Sequence, residues 1–127
     1  MGHAYRGSSR TVLCIDDDAS ILRYEKALLE KSGYTVITTQ SGQQGLTLAM
    51  TSHIDAIVLD YNMPGMNGHN VAAAIKECRP EILIVMFSAS EIPEATLNLV
   101  DAVVFKSDAV ELLLPTVAHL CNRDNAF

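Results

Sequence analysis

The stretch Ile82-Leu83-Ile84-Val85-Met86-Phe87 contains six consecutive residues without a polar side chain. A run of this length and composition is typical of a central strand in a parallel sheet, because helices cover both faces of such a sheet. Other apolar or β-branched runs occur on both sides of it along the chain. They predict four further strands, at Thr11–Ile15, Thr35–Thr39, Ile54–Leu59 and Ala102–Phe105.

Segments with helical patterns lie between and after the strands. We predict helices over Ala19–Ser32, from a cap at Ser41 to Thr51, over Val71–Cys78, over Pro93–Leu99 and from Asp108 to Cys121. In the first of them, Ile21, Tyr24 and Leu28 recur at helical spacing and predict its inward face. Ser41 with Gln44 has the pattern of a capping box. The strict alternation of strands and helices favours an α/β fold with helices on both faces of a parallel sheet.

The composition bounds the possibilities further. A chain of 127 residues makes one domain, and 49% apolar with 19% charged residues excludes an intrinsically disordered protein. The formal net charge of −6 argues against nucleic acid as a direct partner, because phosphate backbones attract basic surfaces. No apolar run approaches the length of a membrane span. We predict a flexible N-terminal arm at 1–10, a folded domain at 11–121 and a C-terminal tail at 122–127.

Polar and charged side chains follow four of the five predicted strands. Asp16 and Asp17 follow the first strand, Asp60 the third, Ser88 the fourth and Lys106 the fifth. In an open parallel α/β sheet, ligands bind at the carboxyl ends of the strands. We therefore expect three carboxylates, one hydroxyl and one ammonium group to meet at one edge of the sheet.

Carboxylates that lie this close repel one another unless a cation lies among them. Oxygen ligands suit a hard divalent ion, and Mg²⁺ bound in this way commonly also takes phosphate oxygens. Lys106 and Ser88 supply a positive charge and a donor for phosphoryl oxygens. The pattern predicts phosphoryl transfer, with Asp60 as the nucleophile because it stands alone at its strand end and with Asp16 and Asp17 as metal ligands. A glycine-rich nucleotide loop is absent from the sequence.

Four segments resemble the receiver domain of two-component response regulators. They are VLCIDDD at 12–18, IVLDYNMPGMNG at 57–68, MFSAS at 86–90 and VVFKS at 103–107. The resemblance extends from about Thr11 to Cys121, and the segment around Asp60 is the most specific part. It implies a flavodoxin-like (βα)5 three-layer sandwich with a five-stranded parallel sheet in the order 2-1-3-4-5.

The resemblance also implies residue roles around the metal. Asp60 is expected to be the phosphoacceptor and a metal ligand. Asp16 and Asp17 are expected to hold Mg²⁺, Asp17 directly and Asp16 mainly through water, and Mn²⁺ is a possible substitute. The backbone carbonyl of Asn62 is the expected remaining protein ligand.

The phosphoryl group itself has a separate set of expected contacts. Ser88 and Lys106 match the hydroxyl and the lysine that bind it in receivers, and Ala89 is expected to contact it beside Ser88. The expected donor is a phosphohistidine on a histidine kinase or a histidine phosphotransfer protein. The receiver catalyses its own phosphorylation and slow dephosphorylation, and so switches a surface for a downstream protein of unknown identity.

Further expectations concern assembly and location. We expect a monomer or a weak homodimer that binds neither a membrane nor nucleic acid directly. The three cysteines Cys14, Cys78 and Cys121 have neither disulfide nor zinc spacing, which is typical of reduced thiols in a cytoplasmic protein. The chain stops soon after the fifth helix, which favours a stand-alone or an excised receiver.

Three departures from the receiver pattern bear on signal output. Ser107 follows the lysine where receivers usually have a proline in a cis peptide, and we expect a trans peptide here. Val103 stands where many receivers carry an aromatic switch residue. The segment from Ser88 to Lys106 is shorter than usual by about one helical turn, so the fourth helix should be short or poorly ordered. We therefore expect an atypical output coupling.

Two alternative functions remain open at this point. Asp16-x-Asp18-x-Ser20 matches in outline the first motif of haloacid-dehalogenase-like phosphatases, in which Asp16 would be the nucleophile. The chain lacks the further carboxylates that such an enzyme needs after its lysine. The second alternative is a pseudo-receiver adaptor that never takes phosphate. Val103 and Ser107 favour it, and the intact acidic site opposes it.

Overall fold

The computed structural model describes residues 10–124, with the side chains of 123 and 124 excepted. Five strands alternate with the helices along the chain. The strands are β1 (Thr11–Ile15), β2 (Thr35–Thr39), β3 (Ala56–Asp60), β4 (Leu83–Ser88) and β5 (Ala102–Phe105). Of the predicted N-terminal arm, only Arg10 belongs to the described residues, and 125–127 of the predicted tail lie outside them.

Five α-helices and one short turn of 3₁₀ helix connect or follow the strands. The helices are α1 (Ala19–Glu30), α2 (Gly42–Thr51), α3 (Gly68–Cys78), α4 (Glu94–Leu97) and α5 (Ala109–Asp124), and the 3₁₀ turn is Lys106–Asp108. None of the helices within 10–124 has the length and apolarity needed to cross a membrane.

All strand pairs are parallel, and the sheet order is β2-β1-β3-β4-β5. This order confirms the predicted flavodoxin-like (βα)5 sandwich. The crossovers put β1 and β3 side by side at the centre, with β4 next to β3. The carboxyl ends of all five strands consequently lie along one edge, where the sequence predicts the functional groups.

Alternate side chains of each strand enter two separate cores. On one face, Val12 and Cys14 of β1 pack with residues of α1 and α5, such as Leu29 and Leu113. On the other face, Leu13 and Ile15 pack with residues of α2 and α3. Every residue of β3 and β4 is buried, which explains why β4 has no polar side chain before Ser88.

The predicted inward face of α1 is confirmed for Ile21 and Leu28, which are partly buried against the core, and is wrong for Tyr24. The buried residues of this helix are Leu22, Glu25 and Leu29, whereas Tyr24 is 40% exposed. The sequence favoured the stripe through Tyr24 because it is wholly apolar, whereas the true buried stripe contains a carboxylic acid. Glu25 is 1% exposed, and its Oε1 atom has no hydrogen-bond partner among the described residues.

Several element ends differ from the predictions for local reasons. α3 begins at Gly68 rather than at Val71, because the Asn67 side chain accepts a hydrogen bond from the Asn70 N–H and caps the helix there. In α2, the Ser41 hydroxyl accepts from the Gln44 N–H as predicted. The Gln44 side chain accepts from the Thr39 hydroxyl instead of returning to Ser41, so the capping box is half formed.

The region after β4 agrees with the predicted departures from the receiver pattern. α4 has four residues, which confirms a short fourth helix. No cis peptide bond occurs within 10–124, so the Lys106–Ser107 bond is trans as predicted. Val103 is partly buried against the core on the α2 and α3 side. The 3₁₀ turn that includes Asp108 leads directly into α5.

The buried carboxyl group of Glu25 predicts a pH-dependent stability. Burial raises the pKa of Glu25 to about 8 from 4.5, and the negative charge of Asp16 adds to the increase. Since the fold disfavours the ionised form, Glu25 lowers the free energy of unfolding as the pH rises through this window. Glu25→Gln should therefore gain on the order of 3 kcal/mol relative to the native protein between about pH 5 and pH 8.

Urea denaturation at the two pH values measures this difference. Glu77→Gln on the exposed face of α3 is the matched control, and its stability relative to the native protein should change little with pH. Equal pH dependence of Glu25→Gln and the native protein would show that Glu25 does not carry the effect.

Candidate functional site

Three strands deliver the acidic and basic groups of the site to the sheet edge. Asp16 follows directly after β1, Asp60 is the last residue of β3, and Lys106 follows directly after β5. The three meet: the Lys106 Nζ lies 3.0 Å from Asp16 Oδ2 and 3.1 Å from Asp60 Oδ1. One ammonium group thus bridges two carboxylates from strands that neighbour each other in the sheet.

Asp16 is fixed by its backbone and by one of its two carboxylate oxygens. Its N–H donates to the Thr39 carbonyl of β2, and its Oδ1 accepts from the Asp18 N–H at 2.9 Å. The other oxygen, Oδ2, is buried and has no hydrogen bond among the described residues; its contact with Lys106 is an ion pair without hydrogen-bond geometry. A buried carboxylate oxygen in this condition is suited to a cation or a bound water.

Asp60 is buried, with 3% of the residue exposed. Its Oδ1 accepts hydrogen bonds from Lys106 Nζ and from the Asn62 N–H at 3.3 Å, and no hydrogen bond to its Oδ2 occurs among the described residues. Burial and then the negative charge of Asp16 raise the pKa of Asp60 to about 6, although Lys106 acts in the opposite direction. The fold therefore holds Asp60 as a destabilised carboxylate.

Lys106 lies between this pair of carboxylates and the ring of Phe87. Its Nζ is 5.6 Å from the ring centroid, within the range of a cation–π contact. Burial alone lowers the pKa of Lys106, but the carboxylates of Asp16 and Asp60 outweigh burial, and the net shift is upward. Lys106 is therefore positively charged and partly neutralises the acidic site.

Asp17 completes a group of three carboxylates. Single oxygen atoms of Asp16, Asp17 and Asp60 all lie within 4.8 Å of one another. Asp17 is exposed, and its backbone carbonyl accepts from the Gln40 side chain at 3.0 Å. The site thus contains three carboxylates and one ammonium group, and one buried carboxylate oxygen lacks a hydrogen bond among the described residues. This excess of negative oxygen ligands fits a hard divalent cation that keeps part of its water shell.

Not every predicted site residue makes contact with this group. The Ser88 hydroxyl is completely buried and donates to the Ser90 carbonyl at 2.7 Å, while it accepts from the Ser90 N–H. Ala89 is exposed beside it at the same edge. Asn62 is exposed, and its N–H rather than its carbonyl is the group in contact with Asp60.

Two further residues, Gln40 and Glu25, contribute to this site without having been predicted from the sequence. Gln40, at the uncharged end of β2, holds the Asp17 backbone. Glu25 is buried deeply enough to interact with Asp16 and Lys106 through its charge. Glu25 left a signal in the sequence, since Leu22 and Leu29 flank it at helical spacing. Gln40 left none, because its contact depends on how β1 and β2 are paired.

A family model described as the response regulator receiver domain matches residues 12–107. The chain belongs to the response regulator receiver family. This receiver is 34% identical over 83 residues to the alkaline phosphatase synthesis transcriptional regulatory protein PhoP of Bacillus subtilis. The alignment covers 65% of this chain and 35% of PhoP, so the chain spans about a third of the length of that relative.

Solved receiver structures are similar over most of the chain. TrrA of Thermotoga maritima, solved in complex with Mg²⁺ and BeF, has a TM-score of 0.83 at 26% identity, covering 87% of this chain and 98% of TrrA. TrrA solved in complex with the histidine kinase ThkA has a TM-score of 0.81 at 26% identity, covering 87% of this chain and 97% of that one.

Because the fold raises the pKa of Asp60, replacing its carboxylate by a neutral group should increase the free energy of unfolding. In metal-free receiver, Asp60→Asn should raise the free energy of unfolding by on the order of 2 kcal/mol above about pH 6. The gain should disappear as the pH falls through the window from 6 to 3.8, where Asp60 takes up its proton in the native protein. Thermal denaturation with a chelator across this pH range measures both effects.

Asp17→Asn is the matched control for this measurement. Asp17 belongs to the same carboxylate group but is exposed, so its replacement should give a smaller gain. If Asp60→Asn were less stable than the native receiver at every pH, the destabilised carboxylate inferred here would be wrong.

Proposed function

We propose that this receiver accepts a phosphoryl group on Asp60 from a phosphohistidine of a histidine kinase or a histidine phosphotransfer protein. The observation that carries the proposal is the meeting of Asp16, Asp17, Asp60 and Lys106 at one sheet edge in a chain of the receiver family. The complex of ThkA with TrrA supports this class of partner.

Asp16, Asp17, Asp60 and the Asn62 carbonyl would hold Mg²⁺, for which Mn²⁺ can substitute. The bound ion supplies neutralisation of the negative charge on the phosphoryl group and on the carboxylates. The three carboxylate oxygens within 4.8 Å support this assignment. So does the buried Asp16 Oδ2, which has no hydrogen bond among the described residues.

Asp60 acts as the nucleophile through the oxygen that its neighbours leave free. Lys106 and the Asn62 N–H both bind Oδ1, so the lone pairs of Oδ2 are not engaged by either group. Attack of Oδ2 on phosphorus forms the O–P bond and breaks the N–P bond of the phosphohistidine. The electron pair of that bond stays on the imidazole, which takes up a proton.

Lys106 and Ser88 then bind the oxygens of the transferred group, with Ala89 beside them. Lys106 already lies 3.1 Å from the carboxylate that becomes phosphorylated, so it needs little movement. The Ser88 hydroxyl has to leave the Ser90 carbonyl before it donates to a phosphoryl oxygen. Phosphorylation therefore removes a hydrogen bond from the segment that leads to α4.

The remaining parts of the proposal concern the receiver as a whole. Residues 11–121 are the receiver unit, with 1–10 as an arm and 122–127 as a tail. We place the protein in the cytoplasm, as a monomer or weak homodimer that controls a downstream protein without binding nucleic acid itself. Hydrolysis of the acyl phosphate on Asp60 slowly resets the switch. Val103 makes an output based on an aromatic residue at that position impossible.

The geometry does not favour the two alternative functions. A haloacid-dehalogenase-like phosphatase needs Asp18 in the site, but its carboxylate caps α1 by accepting from the Ser20 N–H at 2.8 Å. Asp18 is also not part of the carboxylate group found among the described residues. A pseudo-receiver adaptor has no need of the complete set of Asp16, Asp17, Asp60 and Lys106.

Phosphorylation with a small acyl phosphate tests the proposal. With acetyl phosphate and Mg²⁺, intact-mass spectrometry should show one added phosphoryl group, and Asp60→Asn should show none. Asp17→Asn should slow labelling about 10- to 100-fold, because it removes one ligand of the metal. Asp18→Asn is the matched control and should label at the native rate, since Asp18 lies outside the group.

The outcomes separate the three functions. Labelling that survives in Asp60→Asn but is lost in Asp16→Asn identifies the phosphatase. Absence of labelling in the native protein, together with absence of Mg²⁺ affinity, identifies the adaptor and overturns the proposal.

A further inference from the structure

The short helix α4 is attached to the domain in an unusual way. Its only buried residue is Thr96, which is 1% exposed. The backbone N–H groups of residues 96–100 donate only to nearby carbonyl groups in the same segment. The acceptors are the carbonyls of Pro93, Glu94, Thr96 and Leu97. An isolated helix of one turn is unstable in water, so a tertiary contact has to hold α4 in place.

That contact is a hydrogen bond of 2.8 Å between the Thr96 hydroxyl and His69 Nδ1. His69 is the second residue of α3 and is partly buried. In the part of the chain that the structure describes, this is the only side-chain hydrogen bond or ion pair that joins residues 91–98 to another element. The apolar residues Ile92 and Leu99, outside the helix, pack against the core but leave α4 itself with a single polar anchor.

The other end of this connection is the backbone of Asp60. The Gly68 N–H donates to the Tyr61 carbonyl at 2.8 Å. A Cβ at Gly68 would lie 2.7 Å from the Asp60 carbonyl oxygen and 2.7 Å from Tyr61 Cα, so the two backbones are in direct contact. A displacement of the backbone at Asp60 and Tyr61 would therefore press on the first turn of α3, to which His69 belongs.

We propose that the His69–Thr96 hydrogen bond transmits the state of Asp60 to α4, which is held in the unphosphorylated receiver and released in the phosphorylated one. The inference rests on the proposed function, and the release of α4 is the structural change that phosphorylation would produce. Two bonds fix the segment before phosphorylation: Ser88 to Ser90 at its start and His69 to Thr96 in its middle. A Ser88 that turns to the phosphoryl group gives up the first, and a shift of the Asp60 backbone strains the second.

This connection acts where an aromatic residue is lacking. Val103 of β5 has no ring that could turn into space left by Ser88. A movement of Ser88 therefore cannot be passed on through an aromatic side chain at this position of β5. The path through α3 uses the contact between His69 and Thr96 instead. It makes His69 and Thr96 positioning residues for α4, and neither touches the acidic group.

Amide hydrogen exchange of residues 93–100, with and without Mg²⁺ and beryllofluoride, tests the inference. In the native receiver, the phosphoryl mimic should raise exchange about tenfold, the effect expected from the loss of one ordinary hydrogen bond. Thr96→Val and His69→Ala should exchange at the raised rate in both conditions. Thr96→Ser restores the hydroxyl and should behave like the native receiver, as should Asn70→Ala, an exposed neighbour of His69 on α3.

The same proteins are also labelled with acetyl phosphate, and the labelling is measured by intact-mass spectrometry. This second measurement distinguishes failure of the inference from failure of the proposed function. The inference is supported if Thr96→Val is labelled at the native rate while its amide exchange no longer changes with the phosphoryl mimic. A structural defect in the site would reduce the labelling as well. A full exchange response in Thr96→Val overturns it, and so does a labelled native receiver without any response. An unlabelled native receiver overturns the proposed function, and this inference with it.

Discussion

The repulsion between carboxylates at the sheet edge is the constraint on which the rest of the site depends. The parallel sheet brings Asp16 and Asp60 together because β1 and β3 are neighbours, and each carboxylate is almost completely buried. Lys106 offsets part of the repulsion from the end of β5. What remains appears in the raised pKa of Asp60 and in the Asp16 Oδ2 atom, which has an ion pair with Lys106 but no hydrogen bond among the described residues. This residual repulsion is the physical basis on which we propose that the site binds a divalent cation.

Glu25 is a second buried acid whose ionisation the fold disfavours, because burial and then the negative charge of Asp16 raise its pKa to about 8. The cause is the same as for Asp60, namely the desolvation of a carboxylate, but no strand end or loop requires an acid at position 25. Nothing in the structure explains why a carboxylic acid occupies this position. The stability of the domain therefore rests on the apolar packing of β3 and β4, whose side chains are all buried.

Strand positions and the site residues were predictable because they depend on local pattern and on one topological rule. The apolar run before Ser88 and the acids after β1 and β3 leave clear signals, and parallel strands bring their ends together. The inward face of α1 was predictable only in part, because the helical spacing of Leu22, Glu25 and Leu29 competes with a wholly apolar stripe through Tyr24. The His69–Thr96 contact was also invisible, because it joins residues 27 apart whose meeting depends on how α4 docks.

The close approach at Gly68 has a consequence for how this domain can diversify. A methyl group there would lie 2.7 Å from two backbone atoms, the Asp60 carbonyl oxygen and Tyr61 Cα, and 3.1 Å from the Met86 sulfur. A change of rotamer at Met86 can relieve only the last of these contacts, so the two backbone contacts decide the matter. The residues of α4 are not among the atoms nearest to such a methyl group, so this contact places no direct restriction on that helix. A larger residue at position 68 would have to push apart the end of β3 and the start of α3, so these two elements are bound to one relative placement.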